Sequence, residues 1–487
     1  MNTPIEITIF NKMYFIQVRY LLLVLVGVGG FIRFHELTYS GLWLDEIYSM
    51  IGSDPNTTLS DVYSYSIRDQ PPVFFILLHG WLKIFGYTDL VGRAITCVYG
   101  LLGIIAIFFL GKEVKNEKLG LFAAFITSIN WFHVYISKEI RFYPLVFLLT
   151  ALSYLFYLRS IKKSGIGDFL LYTIFTALLL NTHYYGMVVF VSQFIILFFV
   201  ILFFKSNLKF IIGAILAGGL AGLSFWHWLV VIQSDLQINA FHVDPVDIYF
   251  PFQYAWEYIK DPVAFALFMF CILFAIIRLY HIIFEKKIQV QHVVIFGWIF
   301  LGTMIPLIYS FVKMPLLTSK YSTIIVPAFF LVIAYGFTLY TNGKVKFYCI
   351  LLIMVSGFIM LFRARPPYKP RRSEDWREVA INFTKHNSDK QIVFSLSAWF
   401  HQYYFKKYKL NLPMDQTKCD FDSIVGGTNQ LWLLVNKQYT GGSVNDEFLP
   451  TQKNLIRSEF ELRDSIMFKQ TKALRYTRKN SIQSGTL

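Results

Sequence analysis

Asp45 and Glu46 are adjacent carboxylates in the run Gly41-Leu42-Trp43-Leu44-Asp45-Glu46, about ten residues past the chain's first apolar segment. Leu42, Trp43 and Leu44 are apolar enough to dip back into a membrane interface, which would hold both acids at head-group depth. There a carboxylate can act as general base toward a substrate embedded in the bilayer. The competing reading is a solvated loop in which Asp45 caps a helix through Ile47, Tyr48 and Met50.

Three further clusters carry usable chemistry. Lys138-Glu139-Ile140-Arg141-Phe142-Tyr143-Pro144 is squeezed between two apolar runs, and ionisable groups at membrane depth are costly, hence usually paired or functional. A Glu139–Arg141 ion pair that merely ties the turn is the alternative. His183 with Tyr184 and Tyr185 offers an imidazole and hydroxyls to a sugar, or else forms an interfacial aromatic belt. Lys320-Tyr321 opens another apolar run with a cation that can meet a lipid phosphate, or that snorkels to the interface.

The elements that must position these groups are membrane helices. Hydrophobic residues make up 55% of the 487, mean hydropathy is +0.50, and charged residues are only 15%, well below the quarter expected of a soluble domain. Runs near the ~20 residues needed to cross a bilayer fall at 18–34, 91–111, 119–136, 142–158, 168–183, 185–204, 210–231, 262–280, 290–311, 321–340 and 346–362, eleven in all. The region 168–204 breaks at Asn181-Thr182-His183-Tyr184-Tyr185-Gly186, a polar hairpin. The stretch 71–87 opens with Pro71-Pro72, contains His79 and Lys83, and is short for a span, so it reads as an interfacial helix that does not cross.

Sidedness follows from the cations. With 71–87 lying flat and the N-terminus inside, five inner loops (112–118, 159–168, 205–209, 278–287, 341–347) hold thirteen Lys and Arg. The outer segments 35–90, 137–143, 232–261 and 312–320 hold seven over more than twice the length. The positive-inside rule therefore puts the N-terminus inside and the acidic pair outside, together with the other three clusters and the C-terminal tail. Arg363, Arg365, Lys369, Arg371 and Arg372 run against this assignment. The first apolar segment lacks a small-residue cleavage site and reads as a signal anchor. A net charge of +15 suits anionic lipid head groups, and no nucleic-acid module is visible. Cys97, Cys271, Cys349 and Cys419 lack metal-ligand or CxxC spacing, so neither disulfides nor zinc organise the chain; no residue is assigned to a metal, and a divalent ion as cofactor stays open.

Residues 1–362 thus form a transmembrane domain whose first outer loop, 35–90, includes the interfacial helix, and 363–373 is a basic proline-rich linker. Residues 374–487 read as a small soluble domain. A helix is expected over 374–386, a strand from Gln391, a helix over 398–408 and a strand at Leu431–Val435, an α/β pattern. No Gly-rich phosphate loop opens these helices, so nucleotide binding is unsupported. The expected fold class is a polytopic α-helical membrane protein of about eleven transmembrane helices with a small extracytoplasmic α/β C-terminal domain.

Transfer of a sugar from a polyprenyl phosphate needs a base for the acceptor hydroxyl, cations for the departing phosphate and a groove open to lipid. It needs no acid on the leaving group, because phosphate departs as a stable anion, unlike the alcohol released in glycoside hydrolysis. A transporter or lipid flippase would instead carry ionisable or broken helices at midplane. An envelope glycan polymerase or ligase would rely on Arg and His sets in large outer loops.

The chain resembles bacterial membrane glycosyltransferases of the glycosyltransferase C superfamily, in the group akin to dolichyl-phosphate-mannose-protein mannosyltransferases and aminoarabinose transferases. Trp43-Leu-Asp-Glu-Ile-Tyr, the Asp69-Gln-Pro-Pro stretch through Gly86, Ser137-Lys-Glu-Ile-Arg-Phe-Tyr, His183-Tyr-Tyr-Gly, Lys320-Tyr with Pro327, and Glu374-Asp-Trp-Arg-Glu-Val-Ala carry the likeness. It implies the cytoplasmic (inner) membrane, an outward active site, Asp45 as catalytic base with Glu46 supporting it or binding the acceptor, and a cavity lined by Glu139 and Arg141. The donor would be a polyprenyl-phosphate-linked sugar, the acceptor a glycan, lipid or protein. Two departures stand out: Gln70 where His often precedes Pro-Pro, and Lys320 where Arg often precedes Tyr. Lysine keeps the charge but loses the bidentate fork for phosphate.

Overall fold

A computed structural model of the chain describes residues 4–9, 12–67, 70–204, 208–228, 246–247, 249–363, 375–385, 391–415, 418–436 and 450–479. Asp69, Glu374 and linker residues 364–373 lie outside them.

An antiparallel hairpin of β1 (Pro4–Ile9) and β2 (Lys12–Gln17), absent from the sequence expectation, leads into α1 (Val18–Phe34). There follow α2 (Leu44–Gly52), α3 (Leu59–Ser66), α4 (Val73–Phe85) and α5 (Asp89–Val114). The bundle continues with α6 (Glu117–Ile129), α7 (Trp131–Ser137), α8 (Tyr143–Lys163), α9 (Ile166–Leu180), α10 (Gly186–Phe203) and α11 (Leu208–Leu223). It closes with α12 (Phe250–Ile259), α13 (Pro262–Phe284), α14 (Val290–Val312), a short 3-10 turn (Tyr321–Ile325), α15 (Val326–Leu339) and α16 (Gly343–Arg363).

Contacts divide the chain into two compact units, one of Met1–Leu37 with Gly52–Tyr368, the other of Thr38–Ile51 with Lys369–Leu487. In the first, six helices of the described residues are long and apolar enough to cross a membrane, seven if the bent pair α6–α7 counts as one span. Leu23, Phe198 and Phe300 are among many large apolar side chains left more than half exposed, the outward face that a lipid solvent requires. Helix crossings use small residues for close backbone approach. A Cβ on Gly120 of α6 would collide with the Phe108 carbonyl of α5, and one on Gly336 of α15 with the Cys271 carbonyl of α13.

The hairpin expected at 181–186 separates α9 from α10. Helix α4 spans 13 residues, roughly 20 Å at 1.5 Å per residue and too short for the hydrocarbon core. It buries Phe74, Phe75, Leu78 and Leu82 while Leu77, Ile84 and Phe85 stay exposed. The run 119–136 is not one straight helix: it bends by 61° between α6 and α7.

In the second unit, α17 (Trp376–Lys385), β3 (Ile392–Ser395), α18 (Ala398–Lys407) and β4 (Gln430–Asn436) stand where the sequence pattern puts them. Two further helices, α19 (Phe421–Gly426) and α20 (Pro450–Glu459), and the hairpin of β5 (Phe460–Met467) and β6 (Thr471–Arg478) complete it. The sheet order is β3-β4-β6-β5, parallel between β3 and β4 and antiparallel elsewhere. Phe383 of α17 packs on Trp432 of β4 and on Phe405 of α18, closing the core between helices and sheet.

Candidate active site

The acidic pair lies in the unit that contains the tail. Leu44 is the first helical residue of α2, so Asp45 falls in the first turn and is not the cap. Capping falls to Glu46, whose Oε2 accepts the Trp43 amide at 3.2 Å from three positions on, the reach-back half of a capping box. Glu46 is buried, whereas Asp45 is half-exposed and its backbone carbonyl accepts the Ser49 hydroxyl at 2.9 Å. Carboxylates in the first turn also gain from the helix dipole.

The other six predicted residues meet in the bundle unit. Lys320, just before the 3-10 turn, places Nζ 2.9 Å from Oε2 and 3.2 Å from Oε1 of Glu139, which stands in the turn between α7 and α8. The ammonium also lies 5.0 Å over the Tyr135 ring and 5.6 Å over that of Tyr143. Its side chain is 26% exposed against 7% for Glu139, so the acid is the inner partner and the cation the outer one. Tyr321, the next residue, has its ring 5.4 Å from His183 and 5.6 Å from Tyr185, and His183 in turn lies 6.4 Å from Tyr143. The Arg141 guanidinium stacks 4.6 Å over Phe142, whose ring is 4.6 Å from His183.

His183 is held in one tautomer. Its Nδ1 accepts the Tyr185 amide at 3.0 Å, which puts the proton on Nε2, a buried N–H with no partner among the described residues. Burial, with the charge of Arg141 adding to it, pulls the imidazole down to about 3. It is therefore a neutral donor at physiological pH, not a third cation.

Helix α4 and the hairpin converge on the same end of the bundle: the Val73 amide donates to the Asn181 carbonyl at 3.0 Å, and Phe74 meets Phe142 edge-on. Gln70, ahead of α4, is buried with its Oε1 lacking a partner among the described residues.

The turn that carries Glu139 and Arg141 owes its placement to the bend before it. Asn130 ends α6 and caps α7, its Oδ1 accepting the His133 amide at 3.0 Å while Nδ2 donates to the Tyr258 carbonyl at 2.8 Å. The carbonyls freed at the end of α6 are taken by Arg33 from α1, which donates to Thr127 and Ser128 at 2.9 Å each. The fully buried guanidinium also bonds the Gly29 carbonyl, Ser137 Oγ and His133 Nδ1, so its five N–H groups are all engaged. Lys138 then ties the turn to α1 through the His35 carbonyl at 2.8 Å, and burial pulls its ammonium down to about 7.

Glu139, Arg141, Tyr143, His183, Lys320 and Tyr321 thus stand together in one unit, while Asp45 and Glu46 belong to the other. Sequence reasoning missed Tyr135, which faces Lys320, and Arg33. A cation inside the first apolar run, fourteen residues beyond the Arg19 at its start, was the available signal for Arg33. Among the described residues no three His, Cys, Asp or Glu side chains come close enough to share a metal ion.

Residues 69–228 match the family model described as dolichyl-phosphate-mannose-protein mannosyltransferase. No curated protein sequence is a match. Among solved structures, the chain is similar to apo ArnT from Cupriavidus metallidurans, at TM-score 0.64 and 8% identity over 94% of this chain and 98% of that one. The same protein bound to undecaprenyl phosphate matches at TM-score 0.57 and 9% identity, over 94% and 97%. The oligosaccharyltransferase AglB from Archaeoglobus fulgidus, in complex with an inhibitory peptide and a dolichol-phosphate, matches at TM-score 0.57 and 11% identity, over 96% of this chain and 75% of that one.

Proposed function

We propose that this chain, which has the fold of the glycosyltransferase C superfamily, moves a monosaccharide from a polyprenyl-phosphate donor to a glycan, lipid or protein acceptor at the outer face of the membrane. The solved relative that holds undecaprenyl phosphate supports a donor of that class. In this reading Asp45 takes the proton of the acceptor hydroxyl as its oxygen attacks the anomeric carbon, and Glu46 fixes the turn that presents it. The bond from that carbon to the phosphate oxygen breaks on the opposite face, which inverts the centre. Polyprenyl phosphate leaves as an anion stabilised by Lys320 and Arg141, and the His183 Nε2–H and the hydroxyls of Tyr143 and Tyr321 orient the sugar.

The observation that carries this reading is the half-exposed Lys320 ammonium, held on Glu139 and ringed by tyrosines beside a neutral His183 donor. It is a cation with hydroxyls and an N–H around it, which suits a sugar phosphate.

One observation favours a lipid-linked sugar flippase: the broken span with a buried arginine at its break. Against it, all five Arg33 donors are consumed by protein groups, so the break is closed by structure and offers no position to cargo. The test is purified protein in nanodiscs with radiolabelled polyprenyl-phosphate sugar and an envelope extract. Wild type should transfer label, and Asp45→Asn should lose about 10²–10⁴-fold in rate, the usual worth of a general base. Transfer by Asp45→Asn within a few-fold of wild type would remove the base assignment. Failure of wild type to transfer, with movement of the intact lipid across proteoliposomes, would install the flippase in its place.

A further inference from the structure

We propose that the C-terminal domain is the positioning body of the Asp45–Glu46 segment, acting through Arg377 and Tyr404; this rests on Asp45 being the base.

Residues 38–43 form neither helix nor strand, so their backbone polar groups need partners from elsewhere. The Arg377 guanidinium of α17 supplies two of them, donating to the Thr38 and Tyr39 carbonyls at 2.9 Å each. Tyr404 of α18 supplies a third, its buried hydroxyl accepting the Leu42 amide at 2.7 Å. At Gly41 the segment lies directly on these two helices: a Cβ there would meet the Arg377 Cβ at 3.1 Å and the Tyr404 hydroxyl at 3.5 Å. One helical turn past Leu44, Tyr48 packs on Trp399 of α18 at 5.9 Å between ring centroids.

The gripping residues are themselves fixed. Asp375 accepts the Gln470 and Thr471 amides and the Thr471 hydroxyl, at 2.7, 3.1 and 2.6 Å, which pins the start of α17 to the turn of the β5–β6 hairpin. Trp376 beside it is fully buried on His401 and Phe400 of α18. The motif Asp375-Trp376-Arg377 therefore reads as anchor, core and grip.

Helix α2 has only nine residues, too few to be stable by its own propensity. Its carboxylates consequently take their place from the tail. The arrangement gives the small domain a part in the chemistry: the base travels with it.

The test uses the full chain in nanodiscs, with hydrogen–deuterium exchange and transfer kinetics measured on Tyr404→Phe, Arg377→Lys and Arg377→Ala. Tyr404→Phe removes one oxygen and keeps the packed ring, so it remains informative if Arg377→Ala fails to fold. Exchange over residues 38–51 should rise while peptides of α5 and α8 stay at the wild-type rate. kcat should fall about 10- to 100-fold with donor KM within about twofold, the pattern of a displaced catalytic group. Arg377→Lys should fall between wild type and Arg377→Ala, because an ammonium replaces the fork with a single point. Wild-type exchange over 38–51, or raised exchange with unchanged kcat, overturns the proposal. Asp45→Asn run alongside separates the two ideas: if it stays active, the base reading beneath the proposal has failed, whatever the exchange shows.

Discussion

Lys320 and Glu139 are 181 positions apart in the chain and 2.9 Å apart in the fold, ammonium to carboxylate. Removing the cation takes a close ammonium away from a buried acid, which costs more than the pair itself contributes. Lys320→Ala should therefore lower stability by about 1–3 kcal/mol, at the lower end because the ammonium is half-exposed. Adding Glu139→Gln should restore most of the melting temperature. If Lys320 stabilises the departing phosphate, the double variant will be stable and still slow in kcat; recovery of both would make the pair structural only.

Arg33→Leu leaves two carbonyls at the end of α6, the Gly29 carbonyl, a serine hydroxyl and a ring nitrogen without their donor, all in the interior. A loss above roughly 3 kcal/mol follows from that many unmade bonds. Arg33→Lys should rescue little, since three N–H groups on one nitrogen cannot span acceptors set around a planar fork. Thermal unfolding monitored by size-exclusion of the detergent-solubilised protein measures both.

Reporter fusions after residues 61, 240 and 372 should read outside, and fusions after 115, 162 and 286 inside, as the thirteen-to-seven asymmetry of Lys and Arg requires. A fusion after 372 that reads inside would invert the tail and make the basic residues 363–372 an ordinary inner flank.

His401 in the tail core has neither ring nitrogen partnered among the described residues and lies edge-on to Trp376 at 4.6 Å. Burial holds its folded pKa at about 3, down from an ordinary 6.5. Between those values the unfolded chain binds the extra proton, so the stability is full above about pH 6.5 and falls as pH drops toward 3, by roughly 1.4 kcal/mol per unit. His401→Phe keeps an aromatic ring in place and removes the titration. Thermal unfolding at pH 7 and pH 5 should show a smaller acid loss in this variant than in wild type; equal losses would mean the imidazole is solvated.

Much of the site was legible because membrane insertion makes local sequence speak for itself. A polar hairpin inside a long apolar run had to separate two helices, as Asn181–Gly186 does. Paired charges between spans had to sit where partners wait, and Glu139 found Lys320. Lys320 as a partner was not legible: it lies 181 positions away, and only the fold brings it across. The bend at Asn130 escaped for the same reason, since an asparagine in an apolar run reads as a tolerated polar residue until its side chain is seen capping the next helix. In the tail, strand β5 (FELRDSIM) is exposed along most of its length and lacks the alternation that marks a half-buried strand, whereas β4 (QLWLLVN), buried through its centre, was plain.

Leu42 and Tyr404, joined by one hydrogen bond, are 362 positions apart. A ribosome adding about 5–20 residues per second needs roughly 20–70 s to cover that interval. The first helices can enter the bilayer and pack during this time, yet the acidic turn has nothing to fold against until α18 has been made. Nascent chains and C-terminal truncations should hold a formed bundle with an unformed acidic turn, so the last quarter of the polypeptide acts as the clock that sets when the two carboxylates come into place.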